Sequence, residues 1–109
     1  MVQAPEVAWT WAVSWLRRSG MHIRDFQELI ARKYKERDAQ RGVPATFLWF
    51  MEEVGELATS LATGDSRNQQ EEFADVFAWL CTLANITDVD IEKACEKYTG
   101  DDVKGFKPK

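Results

Sequence analysis

FMEEVGELATSL, running from Phe50 to Leu61, and EEFADVFAWLCTLANI, from Glu71 to Ile86, are the two runs of this 109-residue chain that decide its fold. Around the first, Phe47, Phe50, Val54, Leu57, Ala58 and Leu61 recur at the 3.6-residue spacing of one helix face. Pro44 suits the first turn of that helix, and Gly64-Asp65-Ser66 ends it. After a polar connector, Phe73, Val76, Phe77, Leu80, Leu83 and Ala84 trace a second stripe that runs to about Asn85.

The same periodicity extends outward in both directions. From Met21, the positions Ile23, Phe26, Leu29, Ile30 and Tyr34 predict a helix that stops at Gly42-Val43-Pro44. Asp90 is placed to cap a shorter helix over Ile91 to Tyr98, with Ala94 and Cys95 turned inward, and the tail from Thr99 reads as irregular. At the other end, Trp9, Val13 and Leu16, with Trp11 and Trp15, fit a short helical extension over residues 1 to 20, ahead of a main domain over residues 21 to 109. No stretch alternates with a period of two for long enough to make a strand, so the expected architecture is all-α, with four helices in the main domain.

Composition narrows the function. Lys and Arg number 14 against 18 Asp and Glu, a net charge of −4, which argues against bulk electrostatic binding of nucleic acid. Arg17-Arg18 closes the tryptophan-rich stretch well short of the roughly 20 apolar residues that cross a bilayer, so no membrane partner is expected. Val7 to Leu16 lacks the leading positive charges and the cleavage site of a signal peptide, and Cys81 and Cys95 read as reduced core residues. A cytoplasmic setting follows as the expectation. One His and two Cys cannot furnish a Cys₂His₂ or Cys₄ zinc site or the paired Glu-x-x-His of a ferritin-like di-iron centre, so a bound metal would be held mainly by oxygen. Five Trp, six Phe and two Tyr in so short a chain ask for cover that self-association would supply.

Chemistry concentrates in the two helices of the opening runs. Each presents an acidic pair followed three residues on by another acid: Glu52-Glu53 with Glu56, and Glu71-Glu72 with Asp75. Glu53 and Glu56 share one face, as do Glu72 and Asp75, and each pair edges its apolar stripe. If the stripes pack antiparallel, four carboxylates converge at the rim of the core, where they repel one another unless a divalent cation supplies the counter-charge. An all-oxygen site suits Mg²⁺ or Mn²⁺, which complete their shells with water and with a substrate's phosphates. One such run is more often a solvated acidic face than a site; two on adjacent helices, both edging the apolar stripe, leave both readings open.

The paired motif, ahead of DVDIEKA at Asp88 to Ala94, resembles the MazG-like nucleotide pyrophosphohydrolases of the all-α NTP pyrophosphatase superfamily, over Ile23 to about Tyr98. The resemblance implies a four-helix core completed by dimerisation or as a dimer of dimers, with Mg²⁺ held by Glu53, Glu56, Glu72 and Asp75. It also implies cleavage of nucleoside triphosphates, often deoxynucleotides or modified ones, to the monophosphate and pyrophosphate, a cleansing of the nucleotide pool. Glu52, beside the ligand set, would orient or deprotonate the attacking water or simply support the ligands from behind, and Lys97 would help hold phosphates. Related enzymes acting on dUTP or phosphoribosyl-ATP are the nearer alternative, and a non-catalytic helical interaction module the more distant one.

The remaining residues have plainer expectations. Gly55, in mid-helix, implies a neighbouring helix passing close by or room for ligands. Arg32, Lys33, Lys35, Arg37 and Arg41 read as a mostly solvated basic set, and His22 as a cap or surface residue. Phe26, Tyr34, Phe47, Phe50 and Trp79 are candidates to stack a base, although an aromatic at helical spacing more often belongs to the core.

Overall fold

The computed structural model describes residues 20–99, and every regular element among them is helical. The short helix expected at the N-terminus and the tail beyond Thr99 lie outside the described residues. Helix α1 spans Ile23–Arg41, α2 Val43–Thr63 and α3 Ser66–Ile86; α4, Ile91–Ala94, continues into a 3-10 turn at Cys95–Tyr98. Among the described residues no helix is long and apolar enough to cross a membrane.

The helix ends follow local chemistry. His22 is the N-cap of α1, where the Asp25 carboxylate accepts the His22 backbone N–H at 3.4 Å. A single residue separates α1 from α2: the Gly42 N–H donates to the Asp38 carbonyl (3.1 Å), and its own carbonyl accepts from the Thr46 N–H (3.2 Å). Gly42 sits at φ +86°, where a Cβ is strained, so glycine permits so abrupt a turn. Pro44 falls one residue inside α2, in the first turn, where its missing N–H costs no helical bond.

Two boundaries differ from expectation. The stretch read as a polar connector is helical from Ser66, because the Asp65 side chain accepts the Asn68 N–H (3.2 Å) and so starts α3 nearly two turns before its first apolar residue. The last helix stays α-helical for one turn before tightening to 3-10 geometry, although Asp90 caps it as expected by accepting the Lys93 N–H at 3.2 Å. Its inward set is also smaller than expected: Ala94 is exposed and Cys95 only half-buried.

Helices α2 and α3 form an antiparallel hairpin. Gln69 Nε2 donates to the Ser60 carbonyl at one end (3.2 Å), while Trp49 and Trp79 meet edge to face at the other, with ring centres 5.6 Å apart. Helix α1 lies mainly against α3, where Phe26 stacks on Phe77 at 5.4 Å. A polar lock fixes the turn from α3 into α4: Gln27 Nε2 donates to Asn85 Oδ1 (3.0 Å) and to the Val89 carbonyl (2.6 Å), and Gln27 Oε1 accepts the Ile91 N–H (2.9 Å). Both amides are buried, so these bonds cannot be traded for water without cost, and they set where α4 begins.

The core is small and largely polar. Among the described residues, Ile30, Cys81 and Ala84 are the buried apolar ones, beside Gln27, Asp38, Thr46, Ser60, Thr82 and Asn85. Burial pushes the Cys81 thiol up to about 11, consistent with an inert, reduced residue. The inward side of α2 is Thr46, Phe50, Glu53, Leu57 and Ser60, turned by about 60° from the centre of the apolar stripe. Thr46 and Ser60 return their hydroxyls to the helix's own backbone, at 2.7 Å to the Gly42 carbonyl and 2.8 Å to the Leu57 carbonyl, so two small residues line the seam. The rotation leaves Phe47, Met51 and Leu61 of α2, with Phe73 and Leu80 of α3, exposed on the far side of the hairpin.

Candidate metal centre

Because α2 turns Glu53 toward the seam, that carboxylate meets α3 instead of merely edging the stripe. One carboxylate oxygen from each of Glu53, Glu56 and Glu72 lies within 4.8 Å of the others. Glu53 Oε2 and Glu72 Oε2 are buried and have no hydrogen-bond partner. Two unit charges about 4 Å apart repel by ~4 kcal/mol at an effective dielectric of ~20, so three such groups cannot all stay ionised and unpaired at low cost. The cluster responds by holding protons more tightly. Burial, then the charges of Glu56 and Asp75, push the Glu53 carboxyl up to about 7. Burial and the same two neighbours raise Glu72 as well.

The sequence-expected residues divide accordingly. Glu53, Glu56 and Glu72 come together, and Asp75, exposed one helical turn beyond Glu72, is near enough for its charge to act on both Glu53 and Glu72. Glu52 is exposed on α2, about 100° round the helix from Glu53. Lys97 lies on the 3-10 turn, with its Nζ 4.9 Å from the centre of the Tyr98 ring, on a different element from the carboxylates. The oxygen-only donors and the two orphaned, buried oxygens fit a hard divalent cation of the Mg²⁺ or Mn²⁺ type.

Gly55 corrects one expectation. It is exposed, and nothing lies within 4 Å of where its Cβ would stand, so no helix among the described residues passes close to it.

A second polar group, not singled out in the sequence, lies at the α1–α2 turn. Arg41 belongs to the set read as mostly solvated, yet its side chain is only 13 % exposed: Nη2 pairs with Asp38 Oδ1 at 2.8 Å and Nη1 donates to Thr46 Oγ1 at 3.3 Å. Its guanidinium carbon lies 4.9 Å from the centre of the Trp49 ring and 5.2 Å from that of Trp79. Asp38 is fully buried, and its Oδ2 is a third orphaned carboxylate oxygen. The available sequence signal was the spacing Asp38-x-x-Arg41 on one helix face, with Trp49 four residues before Glu53 and Trp79 four after Asp75.

Residues 41–100 match the family model described as the MazG nucleotide pyrophosphohydrolase domain. The match covers more than half of the chain and contains all of α2 and α3, with both acidic pairs. No curated protein matches the chain.

Proposed function

Because the chain belongs to the MazG nucleotide pyrophosphohydrolase family, we propose that it hydrolyses nucleoside triphosphates, deoxynucleotides among them, to the monophosphate and pyrophosphate in a Mg²⁺-dependent reaction. Mn²⁺ is the expected substitute. The observation that supports this reading most directly is the convergence of Glu53, Glu56 and Glu72 on one point with two buried oxygens unpaired. In this reading Glu53, Glu56, Glu72 and Asp75 hold the metal. Mg²⁺ bound there would supply charge neutralisation for the triphosphate and its leaving pyrophosphate.

The chain's own residues would do the rest. Glu52, next in sequence to the ligand set and open to solvent, orients a water and takes its proton as the water oxygen attacks the α-phosphorus. The bond from that phosphorus to the bridging oxygen breaks, and pyrophosphate departs. Lys97 is assigned to the phosphates. Residues 21 to 109 form the catalytic domain, with residues 1 to 20 as an extension to it.

A homodimer, or a dimer of dimers, belongs to the same proposal. Phe47, Met51, Leu61, Phe73 and Leu80 are exposed on the side of the hairpin away from the carboxylates, a surface that a second copy would cover.

The direct test is a pyrophosphate-release assay across dNTPs and NTPs with Mg²⁺ and with Mn²⁺. Metal-dependent release of pyrophosphate is expected. A folded protein inactive on every nucleotide tried would favour a helical interaction module, and one strong preference for dUTP or phosphoribosyl-ATP would name the narrower enzyme.

A further inference from the structure

Helix α4 has little of its own to hold it. Isolated helices shorter than about a dozen residues are marginal in water, and Ile91–Ala94 with the turn at Cys95–Tyr98 is shorter than that. None of these residues is fully buried, so apolar burial contributes little to their placement. The Asp90 cap starts the helix, but a local bond does not decide where the helix points. Its placement comes from α1, the helix it mainly packs against.

Two residues of α1 make that attachment. Arg24 grips the first turn of α4 from the solvent side: Nε pairs with Asp90 Oδ2 at 2.9 Å, Nη1 pairs with Glu92 Oε2 at 3.1 Å, and the backbone N–H donates to Glu92 Oε1 at 3.3 Å. Gln27, one turn on, is buried and holds the backbone on either side of Asp90, through the Val89 carbonyl (2.6 Å) and the Ile91 N–H (2.9 Å). Asn85 Nδ2 donates in turn to the Gln27 carbonyl at 3.2 Å, which ties the same point of α1 to the end of α3. Helix α3 carries Glu72 and Asp75, and the turn after α4 carries Lys97, six residues beyond Ile91. The clamp therefore joins the frame that holds the carboxylates to the frame that holds Lys97.

We propose that Arg24 and Gln27 are positioning residues for the reaction: by clamping α4 to α1 and to the end of α3, they set where Lys97 meets the triphosphate relative to the carboxylates. This rests on the proposed reading of the site, with Lys97 on the phosphates. Neither residue touches substrate. Both act through Lys97, so loss of the clamp matters only while Lys97 is there to be misplaced.

The test is a double-mutant cycle in the full chain with Mg²⁺. The readout is pyrophosphate release from an equimolar mixture of the common dNTPs and dUTP at low concentration, where the initial rate reads kcat/KM. Arg24→Gln is the deciding variant, because the Arg24 side chain is 47 % exposed and its loss should leave the fold intact, whereas Gln27→Leu strands buried partners. Lys97→Ala should lower kcat/KM roughly tenfold and Arg24→Gln roughly three- to tenfold, while the double variant should be no slower than Lys97→Ala alone. Arg24→Lys, which keeps the charge without the fork that reaches both carboxylates, should fall between wild type and Arg24→Gln. Amide exchange over residues 91–98 should quicken in Arg24→Gln. Unchanged exchange or unchanged kcat/KM in Arg24→Gln, losses that multiply in the double variant, or a fully active Lys97→Ala protein would each overturn the positioning role while leaving metal-dependent hydrolysis standing. Wild-type protein that releases no pyrophosphate from the mixture would bring down the pyrophosphohydrolase reading and this inference with it.

Discussion

Asp38 and Glu53 both bury a carboxylate oxygen that no hydrogen bond reaches, yet their neighbourhoods are opposite in sign. Asp38 has Arg41 at 2.8 Å, itself enclosed by Trp49, Trp79 and Thr46, so the chain provides the counter-charge and the group is complete without a ligand. Glu53 has Glu56, Asp75 and Glu72 as the charges acting on it, and its carboxyl is pushed up to about 7. A buried charge that a fold neutralises internally acts as structure; one surrounded by like charges is a place where something positive is missing. Asp38 belongs to the last turn of α1 and Glu53 to α2, so the contrast reflects which charges the neighbouring residues bring beside each carboxylate.

The strongest way to break this contrast is to neutralise each side. Glu53→Gln should lower Mg²⁺-dependent pyrophosphate release by at least about a hundredfold, as expected when a ligand of a catalytic cation is lost, while leaving the metal-free protein as stable as before or more so above pH 7. A fully active Glu53→Gln enzyme would remove Glu53 from the site. Arg41→Ala should do the reverse to stability, costing about 3–5 kcal/mol in a denaturant titration because it strands Asp38 without a partner. If Arg41→Ala unfolds at the wild-type midpoint, the buried pair is not structural.

pH offers a milder test. Glu53 has its folded-state carboxyl raised from 4.5 to about 7, so the folded state holds that proton more tightly than the unfolded chain does. The resulting stabilisation is fully present below about pH 4.5 and is lost as pH rises through about 7, by up to ~3 kcal/mol across the window. Glu72, raised in the same direction, adds to the trend. Thermal melts of the metal-free protein should therefore fall from pH 5 to pH 8, and Mg²⁺ should restore stability most at the higher pH, where it replaces the departing proton. A metal-free protein whose stability rises across that range would contradict the cluster's electrostatics.

The smallest effect is expected at Gly55. With open space where its Cβ would stand, Gly55→Ala should stabilise α2 by about 1 kcal/mol through helix propensity alone. A loss of stability or of dimer on sedimentation would instead show that a second copy packs against that glycine.

Much of this architecture was legible from spacing. The periodicity of Phe26, Leu29 and Ile30, of Phe50 and Leu57, and of Val76 and Leu83 pointed to three long helices, because burying an apolar face imposes a 3.6-residue rhythm on any amphipathic helix. Gly42, Gly64 and Asp90 marked ends correct to within a residue or two, since a positive φ and a capping carboxylate are local requirements. The start of α3 was not legible by the same rule: Asp65 caps a run of polar residues, and periodicity detects no helix where nothing apolar repeats. The pairing of Glu53 with Glu72 could be guessed from two matched motifs, but the burial of Arg41 could not, because a lone Arg at a helix end usually points to solvent.

The sequence by itself determined the helices, their order and the acidic motifs, because capping, turn chemistry and amphipathic spacing act over a few residues. Only the tertiary structure decided the rotation of α2. Leu57 could face inward beside Val54 and Leu61 or beside Glu53 and Ser60, and the choice depends on what the neighbouring helix and the exposed far side of the hairpin can accept. That rotation buries one oxygen of Glu53 against α3, sets Trp49 beside Trp79, and leaves Phe47 and Met51 outside. Packing fixes an angle that no local interaction specifies, and here that angle defines the site.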